Sequence, residues 1–282
     1  MFVITMASIL LVILIGLGLY LKSIPIFEEK SLLQLISNSV WKPGNGDFGF
    51  LPFIAGTLWI TALATILALP IALLTALCLT EHSRSYVKKW VFPALDILAG
   101  LPSVIYGVWG ILLIVPFISD RLAPHFVEYS TGYTTLAGGI VLAVMILPLL
   151  ISLFIEIFSA VPNELRDASL SLGATRWQTS KLIVLRKTQP GIYAAVILAI
   201  SRAFGETIAV LMVCGNIPEV PHSLFDSCYP LPALIANNYG EMLSIPLYES
   251  ALMLAAFLLF IVVVIFNTSS RIILYKIEKK FR

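Results

Sequence analysis

The sequence predicts an all-α, polytopic membrane protein with six transmembrane helices, and three observations carry the prediction. Of 282 residues, 59% are hydrophobic and 12% are charged, against about 25% charged in an ordinary soluble domain. Apolar runs long enough to cross a ~30 Å hydrocarbon layer, which takes about 20 helical residues, recur six times, near residues 2–21, 52–80, 92–118, 134–159, 190–216 and 248–275. The basic residues then fall largely into the connections on one side. Together these divide the chain into a first helix with its external loop, 1–51, and a helical membrane core, 52–282.

The first run reads as a retained helix, because a secretion signal would carry a basic leader, a shorter apolar core and a small-residue cleavage site. Residues 22–51 follow as an external segment containing "KPGNGDFG". Gly44, Gly46 and Gly49 have the G-x-G-x-x-G spacing of dinucleotide sites, but no strand precedes them and no phosphate-binding helix follows, so a flexible loop is expected. In the third run, Pro102 denies the helix a hydrogen bond while Gly100 and Gly107 permit close packing. That predicts a kinked inner helix, with Asp96 near its inner end, where the N-terminal dipole favours an anion. The fifth run starts at Pro190 and Gly191. Residues 217–247 contain no Lys or Arg, and Leu234, Ile235 and Tyr239 recur at helical spacing after Pro232. A short helix at the outer face is expected there, as a cap, a gate or a partner contact.

Of the 18 Lys and Arg residues, 13 lie in the second-to-third and fourth-to-fifth connections and the C-terminal segment, four lie on the other side, and Arg202 stands inside a span. Because basic connections remain cytoplasmic, both termini are expected inside. Cys78, Cys214 and Cys228 imply no disulfide framework and read as structural thiols. The chain has no G-x-x-x-x-G-K-[ST], no H-E-x-x-H and no C-x-x-C, so neither nucleotide hydrolysis nor a catalytic metal is expected of it. His82, His125 and His222 are scattered on connections and read as solvated side chains.

Two stretches carry chemistry. Between the fourth and fifth runs stands "VPNELRDASLSLGATRWQTSKLIVLRKTQPGI". Asn163 after Pro162 suits a helix N-cap, Glu164 lies in the first turn and Gly173 is placed to stop the helix. Leu165, Ala168 or Ser169, and Leu172 share a face. A short amphipathic helix of this kind can lie on lipid headgroups or dock a partner.

The second stretch is "ISRAFGETIAVLMV", 200–213. Arg202 lies about 16 Å along a helix counted from Gly191, near mid-bilayer, and a charge there costs roughly 2.5–3.5 kcal/mol. It must therefore face protein or water. Glu206 at i+4 shares its face, so the pair is either a fixed ion pair joining helices or part of an anion path. In the second reading the guanidinium forks hydrogen bonds onto an oxyanion and Glu206 keeps binding weak enough for release. Ser201 and Thr207 would add neutral donors, unless they bond their own helix.

Asp167, Ala168 and Ser169, three residues, Gly173, nine residues, then Ile183 and Leu185 resemble the EAA loop of ABC-transporter permeases, E-A-A-x3-G-x9-I-x-L-P. Asp167 and Ser169 replace Glu and Ala, and Arg186 replaces the proline. "LAGLPSVIYGVWG" (98–110), "RAFGETIAVLMVCGN" (202–216) and "SLFDSCYPLPALIAN" (223–237) resemble the phosphate-specific permeases, and G-E-T-x-A-V followed by M-V-x-G-N is closer to their PstC-type than to their PstA-type members. The resemblance covers most of the chain from about residue 52. It implies a type I ABC importer permease fold in a bacterial plasma (inner) membrane, translocating inorganic phosphate in contact with lipid and without nucleic acid. The implied partners are a PstA-type second permease, two PstB-type ATP-binding subunits and an external PstS-type phosphate-binding protein. ATP and Mg would be used by the ATPase, with no cofactor on this chain. Arg202, Glu206, Thr207 and Ser201 would line the pathway, and residues 162–186, with Glu164, Asp167, Ala168, Ser169, Gly173, Ile183 and Leu185, would couple to the ATPase. A permease for sulfate or molybdate, or a channel or signalling protein outside the ABC class, are the alternatives.

Overall fold

The computed structural model describes residues 2–240 and 246–281. Thirteen helices are seen among them: α1 Phe2–Glu29, α2 Leu32–Ser37, α3 Leu51–Leu77, α4 Ser85–Gly100, α5 Ser103–Trp109, α6 Val115–Phe117, α7 Thr135–Ser159, α8 Asn163–Ser171, α9 Arg176–Thr179, α10 Leu185–Phe204, α11 Ile208–Val213, α12 Leu231–Asn238 and α13 Pro246–Phe281. Four π-helical segments join some of them, at Cys78–His82, Gly110–Ile114, Ile118–Leu122 and Ser180–Val184. Six stretches are long and apolar enough to cross a membrane: Ile4–Glu29, Leu51–His82, Ser103–His125, Thr135–Ser159, Arg176–Phe204 and Leu247–Ile273.

The core is built on α3 and α7. Ala64, Ala68, Ala72 and Ala76 are fully buried and recur every four residues, so one face of α3 is a stripe of small side chains. Such a stripe lets two helix backbones approach closely where no hydrophobic effect drives association. Gly139 completes the fit, since a Cβ there would collide with the Leu63 side chain. α1 lies outside this core along α13, fastened by the Lys22–Glu249 ion pair (2.8 Å) and by Gly16 beneath the Phe260 ring.

Several expectations are corrected. The first helix runs on to Glu29 rather than ending at 21, and the segment behind it is folded rather than loose. Ser31 and Gln34 form a capping box on α2, strands β1 (Trp41–Lys42) and β2 (Asp47–Phe48) pair antiparallel, and Gly49 sits so close to the Asn38 carbonyl that no Cβ would fit. Trp41 packs against Phe48, Phe50, Phe53 and Tyr248, so aromatic burial orders a segment whose glycines suggested freedom.

The third span is broken, not kinked. Leu101 and Pro102 are both extended, because proline disfavours helical geometry in the residue before it. α4 is thereby a separate helix carrying Lys88 and Lys89, and the span starts at Ser103. Asp96 is exposed near the C-terminal end of α4, not at the start of the span. The fifth span starts at Arg176, and Pro190 lies inside α10. Gly191 instead packs against Ile157 of α7.

The span also ends early, at Phe204, and the chain resumes as α11. Beyond it the expected short helix is present as α12, but Leu231, Pro232, Ala233 and Leu234 are buried and the Leu231 N–H donates to Thr57 Oγ1 (2.9 Å). It is a wedge inside the bundle. Residues 241–245, within the connection read as 217–247, lie outside the described residues, as does Arg282. Cys228, which the sequence leaves isolated, is brought against Cys214: its N–H donates to the Cys214 carbonyl (3.0 Å) and both residues are buried.

Candidate functional site

The break between α10 and α11 follows from Gly205, Glu206 and Thr207. The Gly205 and Glu206 N–H groups close tight turns onto the Arg202 and Ala203 carbonyls (both 3.2 Å), and α11 resumes when the Leu211 N–H reaches the Thr207 carbonyl (2.9 Å). Glu206 accepts from the Ala209 N–H (3.4 Å), placing a carboxylate at the start of a helix, where the dipole favours it. Thr207 Oγ1 donates to the Gly205 carbonyl (3.2 Å). α11 stops at Gly215 and Asn216, both with positive φ (83° and 55°).

This break separates the two charges that i, i+4 spacing would join. Arg202 is exposed on the flank of the chain and makes no ion pair among the described residues. Its charge lies within electrostatic reach of Tyr106 on α5, whose hydroxyl donates to the Leu98 carbonyl (2.7 Å). Glu206 turns the other way, to a small void bordered by Thr57, Thr61, Leu142, Phe204 and Pro232. Ser201 is buried and Thr207 half-buried. The fixed intrahelical pair is therefore not what is observed.

Depth follows from packing. α10 runs antiparallel to α7, with Gly191 on Ile157 and Ala203 beside Leu142, which sets Arg202 about one turn from the midpoint of α7. An exposed, unpaired guanidinium at that level costs too much against lipid. It needs a protein neighbour or a water-filled path beside it.

At the basic end of the bundle, α8 stands away from the chain with Leu165, Leu170 and Leu172 exposed, Leu172 to 91%. Glu164, Asp167 and Ala168 are exposed too, and Ser169 is half-buried. Asn163 is not the N-cap: the extended residue is Pro162, Asn163 opens the helix, and no side chain caps it. The C-terminal stop is as expected. Gly173 has φ 86°, its N–H reaches the Leu170 carbonyl (2.9 Å) and the Ala174 N–H reaches that of Ser169 (3.3 Å), which is a complete Schellman motif. Ser169 Oγ hydrogen-bonds Thr179 Oγ1 (3.0 Å), tying α8 to the start of the fifth span. Ile183 and Leu185 are half-buried at the π-segment above that tie.

Sequence reasoning missed the residue that holds α8 in place. Arg166 forks onto Glu81 at the end of the second span, with Nη2 2.9 Å from Oε1 and Nε 3.2 Å from each oxygen. Both side chains are largely buried, at 16% and 10% exposed. Separated by 85 positions, they leave no spacing signal; the sole hint is a carboxylate closing an apolar run.

Comparison with known proteins places the chain in a family. A family model described as binding-protein-dependent transport system inner membrane component matches residues 68–282. The probable ABC transporter permease protein YqgH of Bacillus subtilis is 38% identical over 75% of this chain and 67% of its own length. The phosphate transport system permease protein PstC of Xylella fastidiosa is 34% identical over 85% of this chain and 78% of its own. In fold, the chain matches a component of a bacterial alginate ABC transporter solved with its alginate-bound periplasmic protein, with a TM-score of 0.61 at 14% identity, over 95% of this chain and 91% of that one.

Proposed function

The chain belongs to the family of binding-protein-dependent transport system inner membrane components, and from that premise we propose that it is a permease subunit of an ATP-driven phosphate importer. The observation that carries this reading is Arg202, exposed and without an ion pair among the described residues, in the last turn of α10 beside a helix break and about level with the middle of α7. Its planar fork matches a phosphate oxyanion. Relatives named as phosphate permeases support the substrate class.

A second, PstA-type permease covers the Arg202 flank, and the anion passes between the two chains. Glu206 lies close along the backbone but turned away, so a bound anion meets one cation and is released readily. Ser201 and Thr207 belong to the same stretch and contribute hydroxyls when the break rearranges. On the cytoplasmic side, where both termini lie, the exposed face of α8 seats in one of two PstB-type ATPase subunits. Those subunits bind and hydrolyse ATP with Mg, so this chain performs no catalysis and needs no cofactor of its own. A PstS-type binding protein delivers phosphate from outside.

The test is reconstitution of the co-expressed complex in liposomes. Labelled phosphate uptake should require ATP and the binding protein, and unlabelled phosphate should compete while sulfate and molybdate do not. Inhibition by sulfate but not by phosphate would reassign the substrate. A chain that never retains an ATPase on purification would remove the permease reading altogether.

A further inference from the structure

We propose that Glu81 and Arg166 form a latch that makes the coupling helix and the adjoining ends of the second and fourth spans one moving body. This rests on the permease reading given above and adds the residues that transmit the ATPase's motion. Arg166 joins three elements. Besides its fork onto Glu81, Nη2 donates to the Phe158 carbonyl (2.8 Å) and Nη1 to the Val161 carbonyl and to Asn163 Oδ1 (3.1 Å). Phe158 and Val161 stand in and just beyond the last turn of α7, where carbonyls lack i+4 partners, that of Phe158 accepting instead from the Val161 N–H (3.3 Å), and a cation suits the dipole. Glu81 lies in the π-helical turn that ends the second span. A displacement of α8 therefore pulls on both spans at once.

Those two spans also reach the helix break. They are locked together along the stripe from Ala64 to Ala76, and at their far halves Thr57, Thr61 and Leu142 border the void beside Glu206. One route from α8 to the candidate anion path is thus an ion pair followed by a rigid helix pair, and it ends at the void beside Glu206. Lysine cannot substitute at 166, because a single ammonium cannot hold a carboxylate and two carbonyls in a planar fork. The second tie, Ser169 to Thr179, is a single hydroxyl contact to the fifth span, which carries Arg202; it is a separate route that bypasses the second and fourth spans.

The experiment uses the full complex in liposomes and reads two rates, phosphate uptake and ATP hydrolysis, for Glu81→Gln and Arg166→Lys. Phosphate moved per ATP hydrolysed should fall by about tenfold in both, in keeping with couplings carried by packed ion-pair networks, while the complex assembles and hydrolysis continues. Glu81→Asp, which keeps the charge, should retain most of the coupling. If Arg166→Lys fails to assemble, Glu81→Gln decides, because Arg166 there keeps its hold on the α7 carbonyls. A ratio within about twofold of wild type, or uptake and hydrolysis falling in equal proportion, would overturn the latch and leave the permease reading intact. A wild-type complex in which the binding protein and phosphate fail to stimulate hydrolysis would overturn both.

Discussion

Arg202 and Glu206 stand four positions apart, yet the backbone between them leaves the helix at Gly205, and their side chains diverge. A carboxylate that would have cancelled the guanidinium instead caps α11 through the Ala209 N–H. The charge on Arg202 is thereby left for something outside this chain. Gly215 shows the same residue-scale logic at the far end of α11. Its φ is 83°, and a Cβ there would lie 2.6 Å from Ser227 Oγ and 3.0 Å from the Tyr133 carbonyl. Gly215→Ala should destabilise the protein by on the order of 1–2 kcal/mol from backbone strain alone, with the clash adding to it. Thermal melting of the detergent-purified chain reads this, and an unchanged midpoint would show that the turn relaxes.

At the scale of elements, α8 was legible because its limits are local. Pro162 and Gly173 bound it, and the Schellman stop needs only a residue tolerant of positive φ. The space around Gly173 is open in this chain, so a larger side chain there adds strain and projects toward the surface on which the ATPase is proposed to sit. Gly173→Leu should leave hydrolysis running while uptake falls, and normal uptake would count against α8 as the coupling element. What the sequence hid in the elements are breaks within apolar runs. Pro102 reads as a kink, and the run through Gly205 reads as one continuous span, because composition on both sides is largely apolar. Whether the chain bends or leaves the helix is settled by tertiary packing, of α5 and α11 for example, where Gly107 lets Met212 approach. Pro190 is the converse: a proline that looked like a helix start is absorbed inside α10.

At the scale of the whole molecule, the number of spans was readable because it depends on sums over many residues. The joins between distant elements were not. Glu81 with Arg166, Cys214 with Cys228, and Trp41 with Tyr248 are long-range meetings that no local pattern announces. The candidate site divides the same way: its charged residues were visible as anomalies of composition, while their partners required the fold. Taken alone, the chain leaves an apolar helix α1 on its rim, an exposed α8 at its basic end and an exposed cation at the end of α10, about level with the middle of α7. Each is a surface that lipid, an ATPase or a second permease would complete.

The central claim is that Arg202 serves a passing anion instead of cementing the scaffold, and Arg202→Gln tests it most directly. The account predicts that the variant assembles with its partner subunits in wild-type amounts, while phosphate uptake in liposomes is abolished. Uptake at the wild-type rate in that variant would contradict it.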